Sequence, residues 1–168
     1  PQLMVLIDQI RAMGYPVKLD TNGARPDVLD ALLSSGKLHY VAMDIKAPES
    51  RYEEICGHYV DQEALNRSID LIRRLAPDYE FRTTVLPQFS MEDITAIAER
   101  IKGAKRYILQ QYRSVSQRGI HSPDLRLARD PHAFFAVQEM ARSVSGYVQI
   151  CETRGLVSAE LAANSGRG

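Results

Sequence analysis

The sequence predicts an α/β fold built on a parallel β-sheet. Three observations support this: five short apolar or β-branched runs, amphipathic segments that separate them, and helix-capping residues at the boundaries. The predicted strands cover residues 17–22, 40–46, 80–85, 107–112 and 147–151. Strands that alternate with helices favour a parallel sheet, which is either doubly wound or part of a barrel. Five strands are too few to close an eight-stranded barrel.

The first three helices are predicted from apolar residues spaced three or four apart and from their end signals. A helix over residues 3–13 ends at Gly14, because glycine readily adopts the left-handed conformation of a helix C-terminus. The second helix begins at Pro26, a residue suited to a first helical turn. A short helix over residues 50–56 ends at Gly57.

The later helices carry clearer caps. Asp61 is placed to cap a long helix, and Ser90 with Asp93 forms a capping box. The last helix begins at Asp130-Pro131, after a predicted loop over residues 114–129. We therefore expect one domain over residues 1–154 and a small, polar tail over residues 155–168.

Composition excludes several classes of function. The chain has 168 residues with 21 basic and 21 acidic side chains, so it has no net positive charge that would attract nucleic acid or anionic lipid. It contains no apolar run of membrane-spanning length and no signal peptide, so we expect a cytoplasmic location. Cys56 and Cys151 are far apart in the sequence and form neither a disulfide framework nor a metal motif, so we expect two inert thiols. A helix at the start with no strand before it predicts that the chain was cut from something longer.

Polar side chains follow the apolar runs at the ends of four predicted strands. Period-2 alternation places side chains of each strand on shared faces: Lys18, Asp20 and Asn22; Ala42, Asp44 and Lys46; Arg82 and Thr84; Leu109, Gln111 and Arg113. Because the carboxyl ends of parallel strands meet at one edge of the sheet, these groups predict a ligand site there. Two carboxylates, two cations, amides and a hydroxyl suit a zwitterionic or polyhydroxylated small ligand.

Two alternatives remain open at this point. Asp44–Lys46 and Asp20–Arg82 could be structural ion pairs at the sheet edge, and residues 21–23 could be a plain turn, since Asn-Gly is a common turn signal. The four histidines lack metal-ligand spacing, and no glycine-rich phosphate loop follows a strand.

Four segments resemble those of radical S-adenosylmethionine activating enzymes, in the same order along the chain. They are Asp20-Thr21-Asn22-Gly23, Val41-Ala42-Met43-Asp44-Ile45-Lys46-Ala47-Pro48, Phe81-Arg82-Thr83-Thr84-Val85-Leu86-Pro87 and Tyr107-Ile108-Leu109-Gln110-Gln111-Tyr112. The resemblance runs from residue 1 to about residue 148. It is closest to the anaerobic ribonucleoside-triphosphate reductase activating proteins of the pyruvate formate-lyase-activase-like type.

The resemblance implies the C-terminal portion of a radical S-adenosylmethionine partial TIM barrel, that is, an incomplete parallel (β/α) barrel. It implies two cofactors in the full-length parent, S-adenosylmethionine and a [4Fe–4S] cluster. It also implies a 5′-deoxyadenosyl radical that abstracts hydrogen from a glycine of a partner enzyme. The resemblance favours anaerobic ribonucleotide reductase as that partner, with a pyruvate formate-lyase-type enzyme as the second candidate. It also implies a flavodoxin or ferredoxin as the reductant.

The chain departs from this family at the cluster. It has no CxxxCxxC loop and no Gly-Gly-Glu-Pro strand end, and thiolates normally supply three cluster ligands. We therefore expect no cluster on this polypeptide and no catalysis by it, while its parent is an activase. A further expectation is self-association along the edge of the first strand, which would lack a neighbour.

The resemblance carries site residues over only at matching positions. It implies that Asp20, Thr21 and Asp44 help to hold S-adenosylmethionine and a monovalent cation, with Asn22 in the same motif. Asp44 and Lys46 resemble the pair that faces the amino-acid end of the cofactor and the target glycine loop. Arg82 and Arg113 resemble residues beside the cofactor and its ribose, whereas Gln111 is proposed from its strand position alone.

Other functions stay open as alternatives. One is a different radical S-adenosylmethionine enzyme, and another is a non-catalytic half-barrel that binds a peptide or a nucleotide. A third is an unrelated α/β domain that handles a sugar or a phosphate, which would bind phosphate at a strand–helix junction.

Overall fold

The computed structural model describes residues 2–112 and 132–155. Strands and helices alternate along these residues, as the sequence predicts. In order, the elements are α1 (Gln2–Ala12), β1 (Lys18–Thr21), α2 (Pro26–Ser34), β2 (Tyr40–Asp44), a 3-10 turn (Glu49–Arg51), α3 (Tyr52–Cys56), α4 (Gln62–Leu75), β3 (Tyr79–Val85), α5 (Met91–Arg100), β4 (Arg106–Gln111), α6 (His132–Val144) and β5 (Ile150–Arg154).

The sheet has five parallel strands in the order β1-β2-β3-β4-β5. Each strand therefore pairs with its neighbour in the sequence, and the order never reverses. A doubly wound sheet reverses its strand order at a switch point, whereas a (β/α) barrel adds strands in sequence. The sequential order thus decides between the two predicted architectures and confirms the incomplete parallel (β/α) barrel.

Helix ends form where the sequence predicts them. The Asp61 carboxylate accepts hydrogen bonds from the backbone N–H groups of Glu63 and Ala64 and caps α4. Ser90 and Asp93 exchange the two hydrogen bonds of a capping box at α5. These interactions satisfy N–H groups that have no partner inside the helix.

The two faces of the sheet differ in polarity. Side chains on one face are fully buried in the apolar core beneath the helices, among them Val41, Met43, Phe81, Tyr107 and Leu109. The opposite face, called the polar face here, carries the alternate residues, including Asp20, Asp44, Glu80, Arg82 and Arg106. Period-2 alternation thus directs the charged residues of all these strands away from the helices.

The fifth strand lies three residues later than predicted at each end. It covers Ile150–Arg154, whereas residues 147–149 form a turn after α6. The Tyr147 carbonyl accepts a hydrogen bond from the Gly103 N–H, and Val148 is buried in the core. Apolar character at these two positions therefore reflects packing of a turn rather than a strand.

Some predictions lie outside the described residues. These are the loop over residues 114–129, the helix start at Asp130-Pro131 and most of the tail over residues 155–168. No helix in the described part of the chain is long and apolar enough to cross a bilayer.

Candidate functional site

Three predicted site residues meet on the polar face at the carboxyl ends of β1, β2 and β3. The Arg82 Nη1 atom lies 2.6 Å from Asp20 Oδ1, and Arg82 Nε donates to Asp44 Oδ1 over 2.8 Å. Parallel register explains this contact, because Asp44 and Arg82 are paired neighbours on β2 and β3. We call Asp20, Asp44 and Arg82 the rim cluster.

The rim cluster keeps accessible negative charge. The side chains of Asp20 and Asp44 are 54% and 43% exposed, whereas that of Arg82 is 15% exposed. Burial alone would lower the pKa of Arg82, but its hydrogen bonds and ion pairs with Asp44 and Asp20 outweigh burial and raise it. The guanidinium is thus a fixed cation that holds two carboxylates while leaving about half of each open to a ligand.

Lys46 stands beside this cluster as an exposed cation. It follows β2, and its backbone N–H donates to the Tyr52 hydroxyl over 3.1 Å. Asp44 forms its ion pair with Arg82, and the Asp44–Lys46 pair that the sequence allowed is not among the ion pairs of the described residues. The alternative Asp20–Arg82 pair does form.

Lys46 lines two clefts. The first, of about 180 Å³, is lined by Asp44, Ile45, Lys46, Ile55, Arg82, Thr84 and Leu86. The second, of about 140 Å³, is lined by Asn22, Ala24, Lys46, Tyr52, Cys56, His58, Tyr59, Val60, Asp61 and Leu65. The first cleft combines a carboxylate, two cations, a hydroxyl and an apolar wall, which is part of the set of groups predicted for the ligand site; Asp20 and the predicted amides do not line it.

Side-chain hydrogen bonds hold the backbone where β1 ends. Thr21 Oγ1 accepts a hydrogen bond from the Gly23 N–H, and Asn22 Oδ1 accepts one from the Ala24 N–H. Gly23 has φ of 75°, and a Cβ at this position would overlap the Met43 side chain. Thr21 pairs with Met43 in the register and lies on the helix side of β1, opposite to Asp20. Asn22 lines the second cleft rather than the first.

The two predicted residues from the end of β4 are not part of the rim cluster. Gln111 pairs with Val85 in the register, which places it on the face opposite to Arg82. Arg113 lies outside the described residues.

The sequence interpretation missed a buried carboxylate. Glu80 is 1% exposed and lies on the polar face, two residues before Arg82. Its two oxygens accept hydrogen bonds from Arg154 over 2.7 and 2.6 Å, and Oε2 also accepts one from the Tyr40 hydroxyl over 2.9 Å. The available signal was its spacing from Arg82, since residues two apart on a strand share a face.

The described residues do not fit an iron–sulfur cluster. Across residues 2–112 and 132–155, no group of three or more histidine, cysteine or acidic side chains is placed to hold a metal ion. Cys56 belongs to α3 and Cys151 to β5. Burial raises the pKa of the Cys151 thiol to about 11, so the thiolate that binds iron is disfavoured there.

Comparison with known proteins gives one related sequence. Over 104 residues, or 59% of its length, the chain is 36% identical to a protein of Methanocaldococcus jannaschii described as "Putative glycyl-radical enzyme activating enzyme MJ1227". The match spans 43% of the length of that protein. No protein-family model matches the chain.

A solved structure shares the fold. The chain is similar to a domain of a pyruvate-formate lyase-activating enzyme from Bacteroides vulgatus, with a TM-score of 0.62 over 88% of each chain. The sequences are 14% identical, so this similarity concerns the fold alone. In sequence the chain is therefore similar to a protein described as a glycyl-radical enzyme activating enzyme, and in fold to a domain of a pyruvate-formate lyase-activating enzyme.

Proposed function

We propose that the chain is the C-terminal part of a radical S-adenosylmethionine activase and supplies the wall that binds S-adenosylmethionine. The parent enzyme would generate a glycyl radical on anaerobic ribonucleoside-triphosphate reductase. The sequence relation to a glycyl-radical enzyme activating enzyme supports the reaction class. The four motifs at the strand ends support the choice of reductase as the target.

The observation that carries this proposal is the geometry of the rim cluster. S-adenosylmethionine has an ammonium group, a carboxylate and a sulfonium, and each of these charges needs a partner once water is excluded. Asp20 and Asp44 present half-exposed carboxylates to positive groups, and Lys46 presents an exposed cation in the cleft that Asp44 lines. The fixed Arg82 guanidinium keeps both carboxylates in place.

Each residue then has a distinct role in binding. Asp44 binds the ammonium group, Lys46 binds the carboxylate, and Asp20 adds negative charge for the sulfonium or for a monovalent cation. Thr21 and Asn22 shape the end of β1 through their hydrogen bonds to the backbone that follows. When it is bound beside a reduced iron–sulfur cluster, S-adenosylmethionine supplies a 5′-deoxyadenosyl radical.

The described residues hold no thiolate set for that cluster, so we propose that this chain by itself binds S-adenosylmethionine without cleaving it. Cluster ligands would come from other residues of the parent, and electrons from a flavodoxin- or ferredoxin-type protein. Anaerobic reconstitution of this chain should therefore leave no stoichiometric iron, and bound iron would contradict this part of the proposal.

Titration calorimetry of S-adenosylmethionine into the chain tests the binding role. We expect Asp44→Asn, which keeps the side-chain shape, to weaken binding at least about tenfold, or about 1.4 kcal/mol. Asp70→Asn is the matched control, because Asp70 is exposed on α4 away from the rim cluster. Equal affinity of the wild type and Asp44→Asn, or no binding at all, would contradict the proposal.

A second experiment tests the target. The parent activase is mixed anaerobically with S-adenosylmethionine, a reduced flavodoxin and either anaerobic ribonucleotide reductase or pyruvate formate-lyase. The proposal expects the glycyl-radical signal in electron paramagnetic resonance with the reductase. A signal with pyruvate formate-lyase alone would keep the reaction class and reject the proposed target.

A further inference from the structure

Beneath the rim cluster, the polar face holds a second layer of charge around Glu80. Besides Arg154 and Tyr40, this carboxylate lies 3.8 Å from Lys18 Nζ and 4.0 Å from Arg82 Nη1. The Arg106 guanidinium donates to the Tyr40 hydroxyl over 2.9 Å, which extends the layer to β4. Glu80 is thus the one buried anion among several cations in the described part of the polar face.

Lys18 is shared between the two layers. Its ammonium lies 3.7 Å from Asp20 Oδ1 and 3.8 Å from Glu80 Oε1, so the two carboxylates compete for it on nearly equal terms. The side chain also lies over the Tyr40 ring, at 5.6 Å from its centroid. Any loss of negative charge at Glu80 would therefore release Lys18 toward Asp20.

We propose that Glu80 is a positioning residue for the ligand site, because it shares the Lys18 ammonium with Asp20 and so limits how far that cation neutralises Asp20. This inference rests on the proposed function, since it takes the rim cluster as the binding site of S-adenosylmethionine. Glu80 itself does not touch the ligand. It acts through Lys18, whose ammonium, without Glu80, would pair with Asp20 alone and compete with a positive ligand group.

Calorimetry with S-adenosylmethionine tests the proposal through a pair of variants. Glu80→Gln should weaken binding at least about tenfold, whereas the double variant Lys18→Met with Glu80→Gln should return to within about threefold of the wild type. A merely structural role predicts no rescue, because removing Lys18 restores no contact to the fold. A folded Glu80→Gln variant with wild-type affinity, or a double variant that stays as weak as the single one, would overturn the proposal.

Two further measurements keep the test decisive. If Glu80→Gln does not fold, Lys18→Met alone should bind S-adenosylmethionine about two- to threefold more tightly than the wild type, and unchanged or weaker binding would overturn the proposal.

The chemical shift of the Asp20 carboxyl carbon can be measured without any ligand. It should move in Glu80→Gln and return in the double variant, and a resonance that does not return would also overturn the proposal.

The resonance separates this inference from the proposed function. Failure of the wild type to bind S-adenosylmethionine rejects the proposed function, while the Asp20 resonance still decides whether Glu80 competes with Asp20 for Lys18. If the wild type binds and the resonance does not respond, the proposed function stands and the positioning role is wrong.

Discussion

Replacing Arg154 by methionine removes the main partner of a buried carboxylate. Glu80 is 1% exposed and accepts two hydrogen bonds from Arg154 over 2.7 and 2.6 Å. Methionine keeps much of the apolar length of the side chain but offers no donor. The substitution therefore leaves a buried charge with half of its hydrogen-bonding partners.

The size of the effect follows from burial. Removing one member of a buried ion pair costs about 3–5 kcal/mol, and removing an exposed one costs about 0–1 kcal/mol. Arg154 is 42% exposed, and the Tyr40 hydroxyl and Lys18 remain close to Glu80. We therefore expect the free energy of unfolding to fall by about 2–3 kcal/mol.

Urea unfolding followed by circular dichroism measures this loss, and Arg67→Met is the control. Arg67 pairs with Asp27 over 2.9 Å, but both side chains are exposed, at 58% and 88%. The control should cost less than about 1 kcal/mol, although its ion pair has nearly the same length. Equal losses in the two variants would refute the reasoning that burial, rather than distance, determines the contribution of each pair.

Three further predictions concern stability. Gly23→Ala should lower the free energy of unfolding by about 2 kcal/mol in a urea titration, because φ of 75° and the Met43 side chain both oppose a Cβ; an unchanged midpoint would contradict this. Asp61→Ala should cost about 1 kcal/mol through loss of the α4 cap, whereas exposed Asp70→Ala on the same helix should change little; equal effects would reject the capping role. Burial alone would raise the pKa of Glu80, but hydrogen bonds from Arg154 and Tyr40 lower it below its usual range, so the contribution of the Glu80 charge to stability is present at neutral pH and is lost in acid. The difference in unfolding free energy between the wild type and Glu80→Gln should accordingly narrow from pH 7 to pH 3, and a constant difference would show that the Glu80 charge is not responsible.

The fold was largely predictable because its determinants are local. Apolar periodicity, Asp61 at a helix start and the Ser90–Asp93 box each depend on residues within a few positions of one another. Among the described residues, the largest boundary error is at β5, since Tyr147 and Val148 are apolar for reasons of packing in a turn.

The site was predictable in part. Alternation along β1, β2 and β3 correctly brought Asp20 and Arg82 together, but it gave no register between strands. The sequence suggested Lys46 as the partner of Asp44, whereas the pairing of β2 with β3 places Asp44 beside Arg82. The contact between Glu80 and Arg154 joins residues 74 positions apart, a separation that no local pattern reveals.

Nuclear magnetic resonance with S-adenosylmethionine tests most directly whether the strand ends form one binding site. On titration, the account predicts shifts of the Arg82 Nε–H resonance and of the backbone amides at residues 20–22 and 44–46, with little change on α5. Shifts confined to other surfaces, or no shifts with the ligand at millimolar concentration, would contradict the central claim that the rim cluster holds the cofactor.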